Sequence, residues 1–255
     1  MSYIFGIHAV DSLLRNNPRA VQRLCLQAGR NDKRIAGLQE LASNQGIVVE
    51  RLSKEALEAL VSGRHQGAVA QTSATGGAGS VAGEANLWRE ADLLSTLKGL
   101  QHPALLLVLD GVTDPHNLGA CLRSADAAGV DAVIVPRDKS ADLTPVVRKV
   151  ACGAAETVPF VRVTNLSRTL QALQQLGVWI YGTAGEAEAS VYASDLASSA
   201  AIVMGGEGGG LRRLTRENCD YLMRLPMAGS VSSLNVSVAT GICLFEAVRQ
   251  RQATK

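Results

Sequence analysis

The chain has 255 residues, 47% of them hydrophobic and 4% aromatic, with a formal net charge of +2. That length suits one large domain or two modest ones with a real core, and the Val, Leu and Ala content fits an α/β protein. The sequence has no long apolar run, no basic segment leading into an apolar one at the N-terminus, and no CxxC pair among its five cysteines. These absences exclude a membrane span, a secretory signal, a zinc site or other metal centre, and a disulfide framework; the thiols read as reduced and cytosolic.

Residues 7–14 have the pattern of a short helix, 21–27 alternate as a strand, and 32–45 are helical. A strand over 46–52, a capped helix over 53–61 and a strand over 67–72 complete a small α/β unit. Residues 1–75 carry nine bases and six acids, an excess that suits a phosphate backbone or an ordinary solvated surface. A Gly/Ser/Ala run over 73–83 has almost nothing to bury and reads as a flexible linker. The domain division is therefore 1–75, a linker and lead-in helix over 76–98, and a second domain over 99–255.

After a helix expected over 87–100, strands at 104–110, 131–136, 157–163, 178–182, 200–205 and 221–225 alternate with helices. The helices fall at 118–128, 144–151, 167–176, 211–218 and 234–251. Near-continuous apolar strands separated by helices indicate a parallel sheet covered on both faces. Ligands on such sheets bind beyond the carboxyl ends of the strands.

Three strand ends carry unusual residues. The strand at 104–110 runs into Asp114, Pro115, His116 and Asn117, with Gly119 and Arg123 beyond. The strand at 200–205 runs into a glycine-rich loop containing Gly205, Glu207 and Leu211. That loop matches neither GxGxxG nor a Walker loop, so it is a tight turn with about even odds of holding a ligand. The strand at 221–225 ends at Pro226, which has no N–H for a ladder. It leads into the small residues Ala228, Gly229, Ser230, Ser232 and Ser233. After them Leu234, Val238, Ile242, Phe245 and Val248 recur at helical spacing. Such a loop either caps the helix or binds polar ligand groups.

In this order and spacing, the three stretches resemble the SpoU (TrmH-like) family of RNA ribose 2′-O-methyltransferases, in the SPOUT superfamily. The likeness covers residues 100–255. Residues 1–75, with Gly6, His8, His65 and Gly67, look like the family's L30e-like substrate-binding domain. The resemblance implies a C-terminal SPOUT-type parallel sheet with a trefoil knot, a homodimer, and S-adenosyl-L-methionine as methyl donor. It also implies a cytoplasmic, membrane-free enzyme acting on guanosine ribose in 23S ribosomal RNA.

Residue by residue, the resemblance implies catalytic roles for Asn117, Arg123, Glu207, Ser232 and Asn235. It implies cofactor contacts at Thr183, Gly185, Gly205, Leu225, Met227, Ser233 and Leu234. On physical grounds alone Asn117 is equally a helix cap and Arg123 a surface ion pair. A guanidinium is effectively always protonated, so Arg123 suits a fixed cation better than a literal base. Histidine is the usual base near neutral pH, which makes His116 a candidate, but the matched motif gives it no such role. Small residues Ala239, Gly241 and Ala247 on the last helix allow close packing.

A transfer-RNA ribose methyltransferase is the alternative substrate reading. A non-catalytic RNA-binding assembly factor is the alternative from another class, and the site residues argue against it. A nucleotide-dependent oxidoreductase on a doubly wound sheet is disfavoured by the missing dinucleotide fingerprint.

Overall fold

The computed structural model describes residues 2–16, 18–61, 65–72 and 86–253; the linker expected over 73–83 lies outside them. The chain forms two compact units, Met1–Asn86 and Leu87–Lys255.

In the first unit β1 (Ser2–Phe5) and α1 (Ile7–Asn16) precede β2 (Val21–Gln27) and α2 (Lys33–Asn44). Then come β3 (Val48–Leu52), α3 (Lys54–Leu60) and β4 (Ala68–Thr72). The sheet order is β1-β4-β2-β3, with β2 and β3 parallel and β4 antiparallel to both its neighbours. The strand β1 was not expected; it is four residues long, too short to show a period, and owes its pairing to β4. Asp32 caps α2 by accepting from the N–H groups of Arg34 and Ile35, and Ser53 caps α3 through Ala56 N.

Several arginines of this unit are held internally, although pairing a base with an acid leaves the net excess unchanged. Arg23 bonds Glu50 at 2.7 Å and Gln71 at 2.5 Å. Arg30 bonds Asp32 at 2.5 Å and the Gln66 carbonyl at 2.7 Å. Arg51 donates to the Gln27 and Arg30 carbonyls at 3.2 and 2.9 Å. Lys33 and Arg34, at the start of α2, remain exposed. His65 is buried and accepts from Gly67 N through Nδ1 at 3.0 Å.

The second unit begins with β5 (Leu87–Trp88) and α4 (Glu90–Gly99), where a single helix was expected. Next are β6 (Leu105–Asp110), α5 (Pro115–Ala128), β7 (Ala132–Pro136), α6 (Pro145–Ala151) and α7 (Ala154–Thr157). They are followed by β8 (Phe160–Val163), α8 (Leu166–Gln175), β9 (Trp179–Thr183) and β10 (Ala189–Ser190). The last elements are β11 (Ala200–Gly205), α9 (Arg213–Glu217), β12 (Tyr221–Arg224) and α10 (Val236–Ala253). The strand expected from residue 157 begins only at Phe160, because Cys152 (φ 54°) and Gly153 (φ 102°) turn the chain into the short α7 first.

The eight strands pair in parallel in the order β10-β12-β9-β11-β6-β7-β8-β5. Every residue of β6 is buried. Leu105, Leu107 and Leu109 join a core with Leu118 and Leu122 of α5 and Leu244 of α10. Leu106 and Val108 face the other core, with Leu170 and Leu173 of α8. This two-residue alternation between two covered faces is the pattern of a buried parallel sheet. From β6 the chain moves to β7 on one side, whereas β11 lies on the other. The carboxyl ends of β6 and β11 therefore flank a topological switch point, where α/β sheets bind ligands.

Helix α10 departs from the expected packing. Val238 and Phe245 are each 50% exposed, while the core takes Val236, Thr240, Cys243, Leu244 and Ala247. Of the apolar spacing visible in the sequence, Val238 and Phe245 thus lie on the outer face, whereas Val248 packs against the core. No described helix is long and apolar enough to cross a membrane.

Candidate active site at the carboxyl edge of the sheet

Strand pairing sets the frame of the site. Gly205 lies beside Asp110 across β11 and β6, and Met223 lies beside Thr183 across β12 and β9. Four strand ends, in the order β12, β9, β11, β6, therefore deliver their loops to one edge.

The glycine loop after β11 closes on itself. Gly206 and Gly210 form an isolated bridge, and Gly210 N donates to Gly206 O at 3.2 Å. A Cβ at Gly205 would lie 2.2 Å from the Gly210 carbonyl carbon, and one at Gly206 would lie 2.3 Å from Gly111 O. No side chain fits at either position, so glycine is required by close approach. The fold also fixes the loop from outside. Arg212 donates to the fully buried Asp110 from its backbone N–H at 3.0 Å and from Nε at 2.5 Å.

Asp114 caps α5 by accepting from His116 N at 2.8 Å, with Pro115 in the first turn. The cap that the sequence offered to Asn117 is thus filled by Asp114, and the Asn117 side chain is free to cross between elements. Its Nδ2 donates to Glu207, and its Oδ1 accepts from Asn235 Nδ2 at 3.0 Å. Asn235 Oδ1 in turn accepts from Ser237 N at 2.9 Å and Ser237 Oγ at 2.7 Å. One directed chain, Ser237 to Asn235 to Asn117 to Glu207, joins all three sequence stretches. Ser237 was missed in the sequence; its signal was an asparagine followed two residues later by a serine, a local turn pattern.

Beside this chain lies a cavity of about 510 Å³. Thr183, Gly185, Gly205, Leu225, Met227, Ser233 and Leu234 all line it, as do Glu207, Ser232 and Asn235. Its volume is within the range of a cofactor site. Met204, Met223 and Val236, which the sequence reading did not single out, supply apolar wall together with Ala239. A Cβ at Gly185 would meet nothing within 4 Å, so a larger side chain has open space to enter there. Thr183 Oγ1 is held by the Val203 carbonyl at 3.0 Å.

Arg123 and His116 do not line the cavity. Arg123 stands exposed on α5, with Nη1 3.7 Å from Cys152 Sγ at the turn after α6. Burial pushes the Cys121 thiol up to about 11, and the Cys243 thiol to about 12, so both stay protonated and unreactive at neutral pH.

The profile of the SpoU rRNA Methylase family matches residues 104–245, and that of the RNA 2′-O ribose methyltransferase substrate-binding domain matches residues 3–75. The 23S rRNA (guanosine-2′-O-)-methyltransferase RlmB of Pseudomonas syringae pv. tomato is 59% identical over 252 residues, 99% of this chain and 97% of that protein. The protein of the same description from Escherichia coli K12 is 54% identical, over 97% of this chain and 98% of its own. The crystal structure of the SpoU methyltransferase AviRb from Streptomyces viridochromogenes, in complex with AdoMet, superposes with a TM-score of 0.70. That match covers 98% of this chain and 90% of AviRb at 24% identity, and shows a shared fold.

Proposed function

This chain belongs to the SpoU rRNA methylase family, and we propose that it transfers a methyl group from S-adenosylmethionine to the 2′-oxygen of a guanosine ribose in 23S ribosomal RNA. The observation that carries the reading is the convergence of Thr183, Gly185, Gly205, Leu225, Met227, Ser233 and Leu234 on one cavity beside the Asn117 chain. The full-length relatives at 54% and 59% identity, described as 23S rRNA (guanosine-2′-O-)-methyltransferases, support it.

The donor supplies a methyl on a positive sulfonium. The cavity fits it: an apolar wall for adenine, small residues, and exposed backbone at the ends of β11 and β12. The chain's own work is to position and to stabilise charge. Alignment alone contributes roughly 7–11 kcal/mol in well-oriented reactions. Glu207 and Asn235 fix the Asn117 amide from both ends. Ser232, in the cavity wall, faces the same space. Arg123 stays a cation, steadies the negative charge that grows on the 2′-oxygen as its proton passes to solvent water, and grips the adjacent phosphate.

The reading includes a homodimer, the family's trefoil knot and a cytoplasmic enzyme. The outer face of α10 supports the dimer: an exposed Val238 and Phe245, one helical turn either side of Ile242, suit a second copy better than water. The first unit is assigned to RNA binding, with Lys33 and Arg34 as exposed cations.

Ribose methylation mapped in ribosomal and transfer RNA, from cells with and without this protein, tests the proposal. Loss of one 23S guanosine mark is expected. An intact 23S pattern with a lost transfer-RNA mark would reverse the substrate.

A further inference from the structure

The carboxyl edge of the second unit carries cations that the methyl-transfer site does not use. Beyond β7, Arg137, Asp138 and Lys139 are all exposed. Their loop is fastened to the loop that precedes α5. Ala141 N donates to Val112 O at 2.8 Å, and Ser140 Oγ donates to the same oxygen at 3.4 Å. The Lys139 carbonyl lies 3.9 Å from where a Cβ on Gly111 would be.

Lys139 has φ 58°, a left-handed conformation that long side chains rarely adopt. Glycine or asparagine would sit there at lower cost, so what lysine adds is its ammonium group. Unusual backbone of this kind concentrates at functional positions.

A second free cation flanks α5. Lys149 is exposed in the last turn of α6, which presses onto α5 where a Cβ at Gly119 would lie 2.9 Å from Val147 O. Cys152 Sγ is 3.7 Å from the Lys149 carbonyl and 3.7 Å from Arg123 Nη1, which places the turn after Lys149 beside Arg123. Two neighbouring arginines are neutralised, Arg148 by Glu156 at 2.8 Å and Arg162 by Asp142 at 3.0 Å. Among the described residues, Arg137, Lys139 and Lys149 are exposed and have no side-chain ion pair.

We propose that Lys139 and Lys149 grip phosphates of the RNA strand entering the site, with Arg137 at its margin, and so hold the target ribose against Arg123. The inference rests on the RNA reading above and names the surface of the second unit that meets the RNA backbone. A backbone phosphate is the ligand these groups fit: two flexible, exposed ammoniums.

Equilibrium binding of an unmodified 23S rRNA transcript to the full chain, across a potassium chloride series, tests it. Lys139→Asn keeps the left-handed turn and removes the charge; Lys149→Gln keeps side-chain length. Each should lower the slope of log affinity against log salt by roughly 0.7–0.9, and the double variant by about twice that. Lys139→Arg should restore the slope, and Lys98→Gln, on the exposed last turn of α4, should keep it. Calorimetric affinity for S-adenosylmethionine should be unchanged throughout, which shows that the variants are folded. A double variant with the wild-type slope would overturn the proposal. Wild-type protein without salt-dependent affinity for the transcript would instead overturn the RNA reading, and this inference with it.

Discussion

Asp110 and Arg212, 102 positions apart, form a buried latch between the end of β6 and the exit of the glycine loop. The carboxylate side chain is 0% exposed and the arginine 43% exposed. The asymmetry decides what each substitution does. Removing Arg212 leaves a buried carboxylate with a single backbone donor. Removing the charge of Asp110 leaves a guanidinium that can turn to water. Arg212→Ala should therefore cost about 3 kcal/mol or more, and Asp110→Asn clearly less. Denaturant unfolding of the two variants gives the comparison; equal losses would mean that the latch is not governed by burial of the carboxylate.

Gly185 offers a cleaner probe of the cavity proposed for the cofactor than Gly205. A Cβ at Gly205 collides with the loop's own backbone, so any substitution there breaks the loop first. Around Gly185 there is open space. Gly185→Leu should fold with near wild-type stability and lose S-adenosylmethionine affinity by at least tenfold in calorimetry. Wild-type affinity would place the donor outside this cavity.

The dimer prediction concerns the outer face of α10. Phe245→Glu changes a residue that packs against no core of this unit and is 50% exposed. Sedimentation should show wild-type protein as a dimer and Phe245→Glu shifted to monomer with unchanged helix content. A monomeric wild type, or an undisturbed dimer in the variant, would remove α10 from the interface.

Much of the second unit was legible because it obeys one rule, apolar strands between helices, and β11 falls on the expected residues 200–205. The site was less legible. The stretches around Asn117, Glu207 and Asn235 stood out, but their joining depends on β11 inserting beside β6, a crossover that local pattern does not encode. Asn117 was ambiguous between cap and site until Asp114 was seen to fill the cap. The inner face of α10 was misleading for a physical reason. The core accepts Thr240 because its hydroxyl bonds the Val236 carbonyl at 2.7 Å, while Val238 and Phe245 are left half exposed. Which bases of residues 1–75 stand free was not legible, since sheet and turn geometry pairs Arg23 with Glu50 and Arg30 with Asp32.

The central claim, methyl transfer to a ribose oxygen assisted by Arg123, is tested most directly by single-turnover transfer of labelled methyl to an unmodified 23S rRNA transcript. Wild-type and Arg123→Ala proteins are compared with donor and RNA both saturating. Label is expected as 2′-O-methylguanosine with the wild type. In the variant the chemical step should be slowed by about 10²–10³, the usual cost of a lost charge stabiliser, with donor affinity retained. Arg123→Lys should also be slow, because lysine lacks the planar fork. Label on a base instead of the ribose, or a wild-type rate for Arg123→Ala under saturation, would contradict the account.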